Sequence, residues 1–345
     1  MSRIEENILN FIAINSNCSS VQIANLFVND TSLATVKRIL FKFANAGYIV
    51  KTGAGKNTRY NVTNVFKILN TINIDEYFVE DIDNRKIKKN FNFNLITTTL
   101  SNVKLFSTEE LEELERYHDN YTKKSKLFSP QEYNIEMERF AIDLSWKSAQ
   151  IEGNTYSLLE TEQLLKEKKT ASGKTKDEAV MLLNHKDAID FIVAQPNYML
   201  PLTIRKIEDL HVILIKELGV AKNLRTKLVR IIGTNYLPIE NEWQIKEAME
   251  QMCTLINNKD NVFEKALLAL VLIAYIQPFM DGNKRVARIV SNAVLLNFKY
   301  CPLSFRTVSS IDYKKAMLLF YEQNNISAFK KIFIAQYKFA VDNYF

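Results

Sequence analysis

The chain has 345 residues, of which 47% are hydrophobic and 24% charged, with a formal net charge of +6. These values are ordinary for a soluble globular protein of two or three domains, and the mild positive charge suits anionic ligands. Only eight glycines and six prolines occur, among long runs rich in Leu, Ile, Lys and Glu. This composition favours a mainly α fold.

The three cysteines, Cys18, Cys253 and Cys301, are far apart and odd in number. They form neither a disulfide framework nor a zinc motif, so a reducing compartment is expected. The first residues lack the basic-then-apolar pattern of a signal peptide, and no apolar run is long enough to span a bilayer. We therefore expect a cytoplasmic chain without a membrane segment.

Residues 1–64 are predicted to form a small separate domain of three helices and two strands. The apolar helix faces are Ile4, Ile8, Phe11 and Ile12, then Ile23, Ala24 and Phe27, then Val36, Ile39, Leu40 and Phe43. The strands are 48–50 and 59–62, and the polar hairpin 51–58 joins them. This order resembles a winged helix-turn-helix domain, in which the third helix enters the DNA major groove and the wing contacts the backbone.

The charge of this domain supports the comparison without settling its partner. Seven Lys and Arg stand against three Asp and Glu in residues 1–64. Two hypotheses follow: DNA contact through the third helix and the wing, or a winged domain used for protein contacts or dimerisation.

Residues 65–110 are interpreted as a linker and interface segment, with the cluster 83–86 as a solvated turn. The main domain then covers 111–345, and its first helix is predicted at 108–126 with Ser107 or Thr108 as its cap. A hairpin at 229–238 is the one strand pair expected in this domain. The remaining helices are predicted at 178–194, 204–218, 242–257, 262–275, 286–296, 313–321 and 326–344.

A further helix, at about 140–153, ends at Glu152 and Gly153. A carboxylate at the negative end of a helix dipole is unfavourable unless a cation meets it. A buried arginine is the obvious partner for Glu152. The alternative is an exposed glutamate beside a turn.

The most informative stretch is the polar loop 277–288, which joins two apolar helices and carries one acid and three bases. Gly282 and Asn283 suit a tight turn with positive φ. The amides that open the next helix, beside Lys284 and Arg285, then make a phosphate site, because unpaired N–H groups and the helix dipole favour an anion.

Asp281, just before this turn, is placed to hold a hard cation such as Mg²⁺ that bridges the phosphates. The alternative is a solvated interhelical turn. Such turns rarely follow so apolar a helix with the sequence Asp-Gly-Asn-Lys-Arg.

Residues 277–288 resemble the signature of Fic-domain proteins, His-Pro-Phe-x-Asp/Glu-Gly-Asn-Gly/Lys-Arg-x-x-Arg. Ser148, Glu152 and Gly153 also match the inhibitory pattern Ser/Thr-x-x-x-Glu-Gly/Asn that this family carries on the N-terminal side. The resemblance covers about 110–340. It implies a Fic-like helical domain with a small β-hairpin flap, which transfers AMP from ATP to a hydroxyl of a protein.

The resemblance also implies a role for each matched residue. Asp281 would hold Mg²⁺ between the α- and β-phosphates of ATP. Gly282, Asn283 and Lys284 would form the anion-binding nest. Arg285 would grip the β-phosphate.

Arg288 would meet the γ-phosphate, and Glu152 would pair with Arg288 and so block productive binding. The flap residues would align a target segment by strand pairing. These flap residues are Thr234, Asn235, Tyr236 and Leu237.

The sequence departs from the family pattern at its first position, where Gln277 stands in place of the histidine that acts as general base. An amide has no useful basicity near neutral pH, and a positioned base typically contributes about 10²- to 10⁴-fold. The histidines of the chain, His118, His185 and His211, lie upstream, and the last two are interpreted as structural. The phosphate and metal groups are otherwise complete.

Two functions are therefore expected. The first is a Fic-type protein adenylyltransferase that is autoinhibited by Glu152 and weak or inactive because of Gln277, with a target hydroxyl of Ser, Thr or Tyr, or its own. The alternative is a catalytically dead ATP-binding regulator coupled to DNA binding by residues 1–64. Phosphocholine, UMP or phosphate transfer are variations within the wider family to which nothing here points. The family resemblance also allows a homodimer.

Overall fold

The computed structural model describes residues 2–345. The chain divides into two compact units, one reaching to Thr71 and the other spanning Ile72–Phe345. The predicted mainly helical fold class is confirmed, and the described residues contain a single two-stranded sheet. Within residues 2–345, no helix combines the length and the apolar character needed to cross a membrane.

The first unit consists of four helices and one antiparallel hairpin. Its elements are α1 (Arg3–Ile14), α2 (Ser20–Leu26), α3 (Leu33–Asn45), β1 (Ile49–Thr52), β2 (Arg59–Val62) and α4 (Asn64–Leu69). Ser2, Ser19 and Ser32 cap the first three helices, because each side-chain oxygen accepts a backbone N–H of the first turn. In the hairpin, Ile49 pairs with Val62 and the strands run antiparallel.

The core of this unit explains where it ends. Its buried residues include Ile8, Ile23, Val36 and Phe43, and Phe66 of α4 packs among them. Because α4 contributes to this core, the unit continues beyond residue 64 to Thr71.

The second unit is almost wholly helical. Its helices are α5 (Ile74–Tyr77), α6 (Thr108–Ser125), α7 (Pro130–Ile151), α8 (Leu158–Glu167), α9 (Lys176–Ala194), α10 (Ile204–Leu214), α11 (Glu242–Asn258), α12 (Val262–Ile276), α13 (Asn283–Asn297), α14 (Ser310–Gln323) and α15 (Ser327–Asn343). A π-helical turn at Leu95–Thr99 precedes α6. Ser107 caps α6 as expected, since it accepts the N–H of Glu110.

Helices α12 and α13 form the centre of the unit. Every residue of α12 after Val262 is buried, and so is nearly all of α13 up to Leu295. A helix that is apolar around its whole circumference is stable only when other elements cover it on all sides. This pair therefore fixes the positions of the loop that joins it.

Several helix boundaries differ from the prediction. Helix α7 begins at Pro130, about ten residues earlier than expected, because Ser129 and Glu132 form a capping box there. Helix α10 ends at Leu214 and is followed by turns, and α13 begins at Asn283 rather than at residue 286.

The predicted β-hairpin at 229–238 is wrong. This stretch is extended with a turn, and its only bridge joins Leu237 in parallel to Asn90. The two halves of this stretch do not pair with each other, and side-chain hydrogen bonds fix their positions. Arg225 donates to the carbonyls of Lys227 and Ile239, and the buried Tyr236 hydroxyl donates to a carbonyl of α12.

The interpretation of 83–86 as a solvated turn is also wrong at one residue. The side chain of Arg85 is only 7% exposed and forms an ion pair with Glu322 of α14, which is fully buried. A buried carboxylate needs such a partner, so the chain folds this segment onto α14.

Candidate functional site

The loop between α12 and α13 reverses the chain through two residues with positive φ. Gln277 ends α12 at φ 53°, and Gly282 precedes α13 at φ 83°. Glycine adopts this conformation without steric cost, which is why α13 begins directly after it. The first amides of α13 therefore open towards the loop.

Two amide side chains brace the loop from inside. Asn283 Nδ2 donates to Gln277 Oε1 at 2.9 Å and to the Phe279 carbonyl at 2.8 Å, while its Oδ1 accepts the Phe279 N–H at 2.8 Å. Gln277 Nε2 donates to the carbonyl of Ala274 at 2.6 Å. The side chains of Asn283 and Gln277 thus hold the shape of the loop.

Arg285 and Asp281 form an ion pair on the loop, with 2.9 Å between Nη2 and Oδ2. The Arg285 side chain is only 2% exposed, whereas that of Asp281 is 63% exposed. Asp281 therefore presents a carboxylate to solvent beside the N-terminus of α13.

Glu152 caps the C-terminal end of α7 and binds two cations of the loop. Its Oε1 lies 3.0 Å from Arg288 Nη2, and its Oε2 lies 2.9 Å from Lys284 Nζ. Gly153 follows at φ 102° and lets the chain leave the helix. We call this three-residue arrangement of Glu152, Lys284 and Arg288 the clasp.

Arg288 is completely buried and is held from a second direction by Ser148. Its Nε donates to Ser148 Oγ at 2.8 Å, and its Nη2 donates to the Ser148 carbonyl at 3.1 Å. Its Nη1 is buried without a hydrogen-bond partner in the part of the chain that the structure describes. Ser148 and Glu152 therefore fix the Arg288 guanidinium from two sides.

The electrostatics of the clasp favour the ionised acid. Burial raises the pKa of Glu152, but the charges of Arg288 and Lys284 outweigh it and hold the pKa at about 2. The acid that sequence reasoning placed against the helix dipole is thus compensated by two cations.

The site has a concentrated positive charge at the start of one helix. Lys284, Arg285 and Arg288 lie within five positions of one another, beside the α13 amides. Such an arrangement can bind a chain of phosphates, because amides, dipole and cations all favour an anion. Glu152 already forms ion pairs with two of these three cations.

Two contacts of the site could not be found from local sequence patterns. The pairing of Lys284 with Glu152 joins residues 132 positions apart. His211 of α10 lies against the loop, with its Nε2 3.0 Å from the Asp281 carbonyl and its ring stacked 3.7 Å from that of Phe279. Burial lowers the pKa of His211, so a neutral imidazole packs against the loop at Phe279 and Asp281.

The other histidines lie at different positions. His185 of α9 is fully buried, and burial followed by the charges of Arg288 and Arg285 keeps its pKa well below the ordinary value. His118 of α6 stacks on Tyr300 at 3.7 Å. Among residues 2–345, no cluster of three or more His, Cys, Asp or Glu side chains could hold a metal ion by itself.

The expected flap residues lie in the extended segment 233–237 and are anchored beside the loop. Thr234 Oγ1 accepts the N–H of Tyr236, whose hydroxyl donates to the Tyr275 carbonyl at 3.0 Å. Arg225 adds a second tie, since its Nε donates to the Gln277 carbonyl at 2.6 Å. Asn235 and Leu237 contact residues 82–90 of the same chain.

Fold and loop together define a helical protein whose α13 N-terminus carries three basic side chains. Residues 201–295 match the family model described as the Fic/DOC family. This part of the chain is therefore similar to a Fic/DOC domain.

Among curated proteins, the chain is similar to protein adenylyltransferase Fic of Nematostella vectensis. The two are 27% identical over 230 residues, which cover 62% of this chain and 51% of that protein. The protein of the same name from Drosophila melanogaster is 25% identical over 162 residues, or 46% of this chain and 33% of that protein. The match thus spans between a third and a half of the length of these relatives.

Solved structures show the same fold. Fic-1 from C. elegans superposes with a TM-score of 0.60 at 19% identity, covering 68% of this chain and 72% of that one. A Fic-domain-containing signalling protein from Bacteroides thetaiotaomicron gives a TM-score of 0.57 at 18% identity, covering 67% of this chain and 94% of that one.

The clasp should stabilise the protein over a defined pH range. A carboxyl with a folded pKa below its unfolded value stabilises fully above the unfolded value, and this stabilisation is lost as pH falls through the folded pKa. For Glu152 these values are about 2 and 4.5. We expect Glu152→Gln to cost about 3 kcal/mol of unfolding free energy, constant from pH 8 to 5 and shrinking only below about pH 4.5.

Urea unfolding of both chains between pH 3 and 8 measures this difference. Glu167→Gln, at the exposed end of α8, is the matched control and should cost less than about 0.5 kcal/mol. A difference for Glu152→Gln that already shrinks between pH 7 and 5 would show that the two cations do not hold the acid ionised.

Proposed function

We propose that the Fic/DOC domain is a protein adenylyltransferase in an autoinhibited form, with weak or no turnover as it stands. The observation that carries this proposal is the clasp, in which one carboxylate binds two cations of a phosphate-binding loop. The names of the curated relatives supply the reaction class.

The proposed reaction moves AMP from ATP to a hydroxyl of a protein. The hydroxyl oxygen attacks the α-phosphorus of ATP, and the bond from that phosphorus to the oxygen bridging to the β-phosphate breaks. Pyrophosphate leaves with the electron pair of that bond, and the hydroxyl proton passes to a base. The products are an adenylylated side chain, pyrophosphate and one proton.

The loop residues divide the binding of ATP among them. The α13 amides at Asn283 and Lys284 would bind the α- and β-phosphates, and Arg285, which is fixed by burial, would neutralise the β-phosphate. Arg288 would meet the γ-phosphate with the guanidinium that Glu152 now binds.

The residues present also fit a magnesium ion. Mg²⁺ usually takes one or two protein carboxylates and completes its shell with phosphates and water. Asp281 offers one exposed carboxylate beside the anion site. The ion would neutralise charge on the phosphates when it is bound, and Asp281 would hold it.

Gln277 explains why turnover should be slow. Its amide cannot accept the hydroxyl proton, and both of its polar side-chain atoms already form hydrogen bonds, to Asn283 and to the Ala274 carbonyl of α12. Loss of a positioned base costs about 10²- to 10⁴-fold in rate. Gln277 therefore preserves the loop shape without supplying the base.

The clasp explains the proposed inhibition. Glu152 occupies a donor of Arg288 and the ammonium of Lys284, which are the charges that the terminal phosphates need. Its low pKa means that mild acid does not release it. A partner or a movement of α7 must displace it.

Self-labelling with radioactive ATP and Mg²⁺ tests the proposal. We expect Gln277→His together with Glu152→Gly to incorporate AMP at least about 100-fold faster than the natural chain, since the base returns and the clasp is gone. Each single change should give less. A second chain with Gln277→His and Glu167→Gly controls for glycine at a helix end.

The contradicting result is a double variant that labels neither itself nor any protein of a mixed extract while its helical circular dichroism is unchanged. That outcome would exclude AMP transfer and leave the second candidate.

A catalytically dead, ATP-binding regulator that contacts DNA is the second candidate. One observation in the first unit favours it. A cleft of 890 Å³ between α3 and the β1–β2 hairpin is lined by four basic residues and no acidic one. The basic residues are Lys37, Lys51, Lys56 and Arg59. Phosphate backbones bind to such surfaces with an affinity that falls steeply with salt.

Binding of a random-sequence DNA duplex to the whole chain at several salt concentrations tests this candidate. Lys51→Ala with Lys56→Ala should reduce the slope of log affinity against log salt by about 2, because each phosphate contact contributes about 0.9. Arg3→Ala with Arg38→Ala removes the same charge outside the cleft and should change the slope less. Equal losses in both chains, or no binding by the natural chain, would exclude the cleft as a DNA site.

The homodimer and the cytoplasmic location stay predictions.

A further inference from the structure

Residues 82–90 lie along the segment 233–237, where the family resemblance places a target peptide. The N–H of Leu237 donates to the carbonyl of Lys89 at 2.7 Å, and Leu237 pairs with Asn90 in a parallel bridge. Asn235 Nδ2 donates to Asp83 Oδ1 at 2.9 Å. The backbone donor that an added strand would use is thus already occupied by the chain itself.

Arg85 fastens this segment at its centre. One guanidinium nitrogen, Nη2, donates to the carbonyl of Gly233 at 2.6 Å and to Glu322 Oε1 at 3.0 Å. Glu322 is fully buried and also accepts the hydroxyl of Tyr77. An ion pair this buried is costly to break from one side, so Arg85 links the extended segment to the helical core.

The backbone on either side is tied to the end of α14. The N–H of Lys88 donates to the Glu322 carbonyl at 2.8 Å, and Gln323 Nε2 donates to the Lys86 carbonyl at 2.6 Å. Farther along, the ring of Phe91 stacks on Tyr275 at 4.7 Å. The segment is therefore held over the same surface that anchors 233–237, as a turn through residue 85 followed by irregular backbone up to the bridge at Asn90.

The composition of this segment shows that it lacks a side chain that AMP transfer could modify. Residues 78–96 contain no Ser, Thr or Tyr. AMP transfer needs a hydroxyl as nucleophile, so the segment can fill a peptide-docking edge without being modified there.

We propose that residues 82–90 act as a built-in pseudosubstrate that covers the docking edge 233–237, and that a target segment must displace them. The term pseudosubstrate rests on the proposed function. Whether residues 82–90 cover the edge 233–237 can be measured without nucleotide. It places a second inhibitory contact beside the clasp, on the protein-substrate side of the site. An extended peptide strand is the partner that fits this edge, because a backbone N–H at Leu237 recognises any carbonyl of a strand.

A fluorescent peptide of residues 82–92 is the probe for a competing strand. It is titrated into the whole chain carrying Arg85→Ala, Asp83→Ala or Lys86→Ala. Arg85→Ala should bind the peptide at least about ten-fold more tightly than the natural chain, since the hydrogen bonds of a charged group are lost from the bound segment. Lys86→Ala removes one charge at an exposed side chain of the same segment and should bind like the natural chain.

Amide hydrogen exchange at Leu237 provides the second readout, and it should be faster in Arg85→Ala. Asp83→Ala changes an exposed residue and serves as the second variant if Arg85→Ala does not fold. It should increase the peptide affinity and the exchange rate at Leu237 by a smaller factor than Arg85→Ala does. A scrambled peptide with the same charge should not bind to any chain.

Equal peptide binding by all chains overturns the proposal, and so does faster exchange at Leu237 without peptide binding. Peptide binding as expected, together with no AMP transfer in the self-labelling assay, supports the covered edge and rejects the adenylyltransferase.

Discussion

The structure of the site depends on one carboxylate shared between two cations. Glu152 stands at the end of α7, where the helix dipole and burial both disfavour a negative charge. Arg288 is completely buried, where a positive charge is equally costly without a partner. The ion pair offsets the cost of burying each charge, and Lys284 adds a second cation to Glu152. In the proposed function the same bonds occupy the donors that would bind phosphate, so one pairing both stabilises the fold and inhibits the site.

The buried pair α12 and α13 determines where this carboxylate can act. Because α12 is buried all round, its end cannot shift without exposing apolar surface, and Gln277 and Gly282 must turn the chain within a few residues. Asn283 then braces the turn from inside. These contacts fix the shape of the loop, and in our proposals it is controlled by what covers it: Glu152 on one side and residues 82–90 on the other.

Sequence patterns predicted the features that depend on neighbouring residues. The continuous apolar run before Gln277 and the glycine at position 282 located the central helices and their loop, and Gly153 located the end of α7. Long-range pairings were missed. Lys284 and Glu152, His211 and Asp281, and Arg85 and Glu322 are each joined across 70 to 237 positions, and no local periodicity encodes such contacts. The hairpin prediction was wrong because Arg225 and Tyr236 bind the segment to carbonyls of Ile239 and α12, while its two arms do not pair with each other.

The central claim is that Glu152 keeps phosphates away from a loop that is otherwise ready to bind them. Calorimetric titration of ATP with Mg²⁺ into the natural chain and into Glu152→Gly tests it directly, because binding needs no catalytic base. The account predicts at least about ten-fold tighter binding by Glu152→Gly. Equal affinity in the two chains, or no binding by Glu152→Gly while it remains folded, would contradict it.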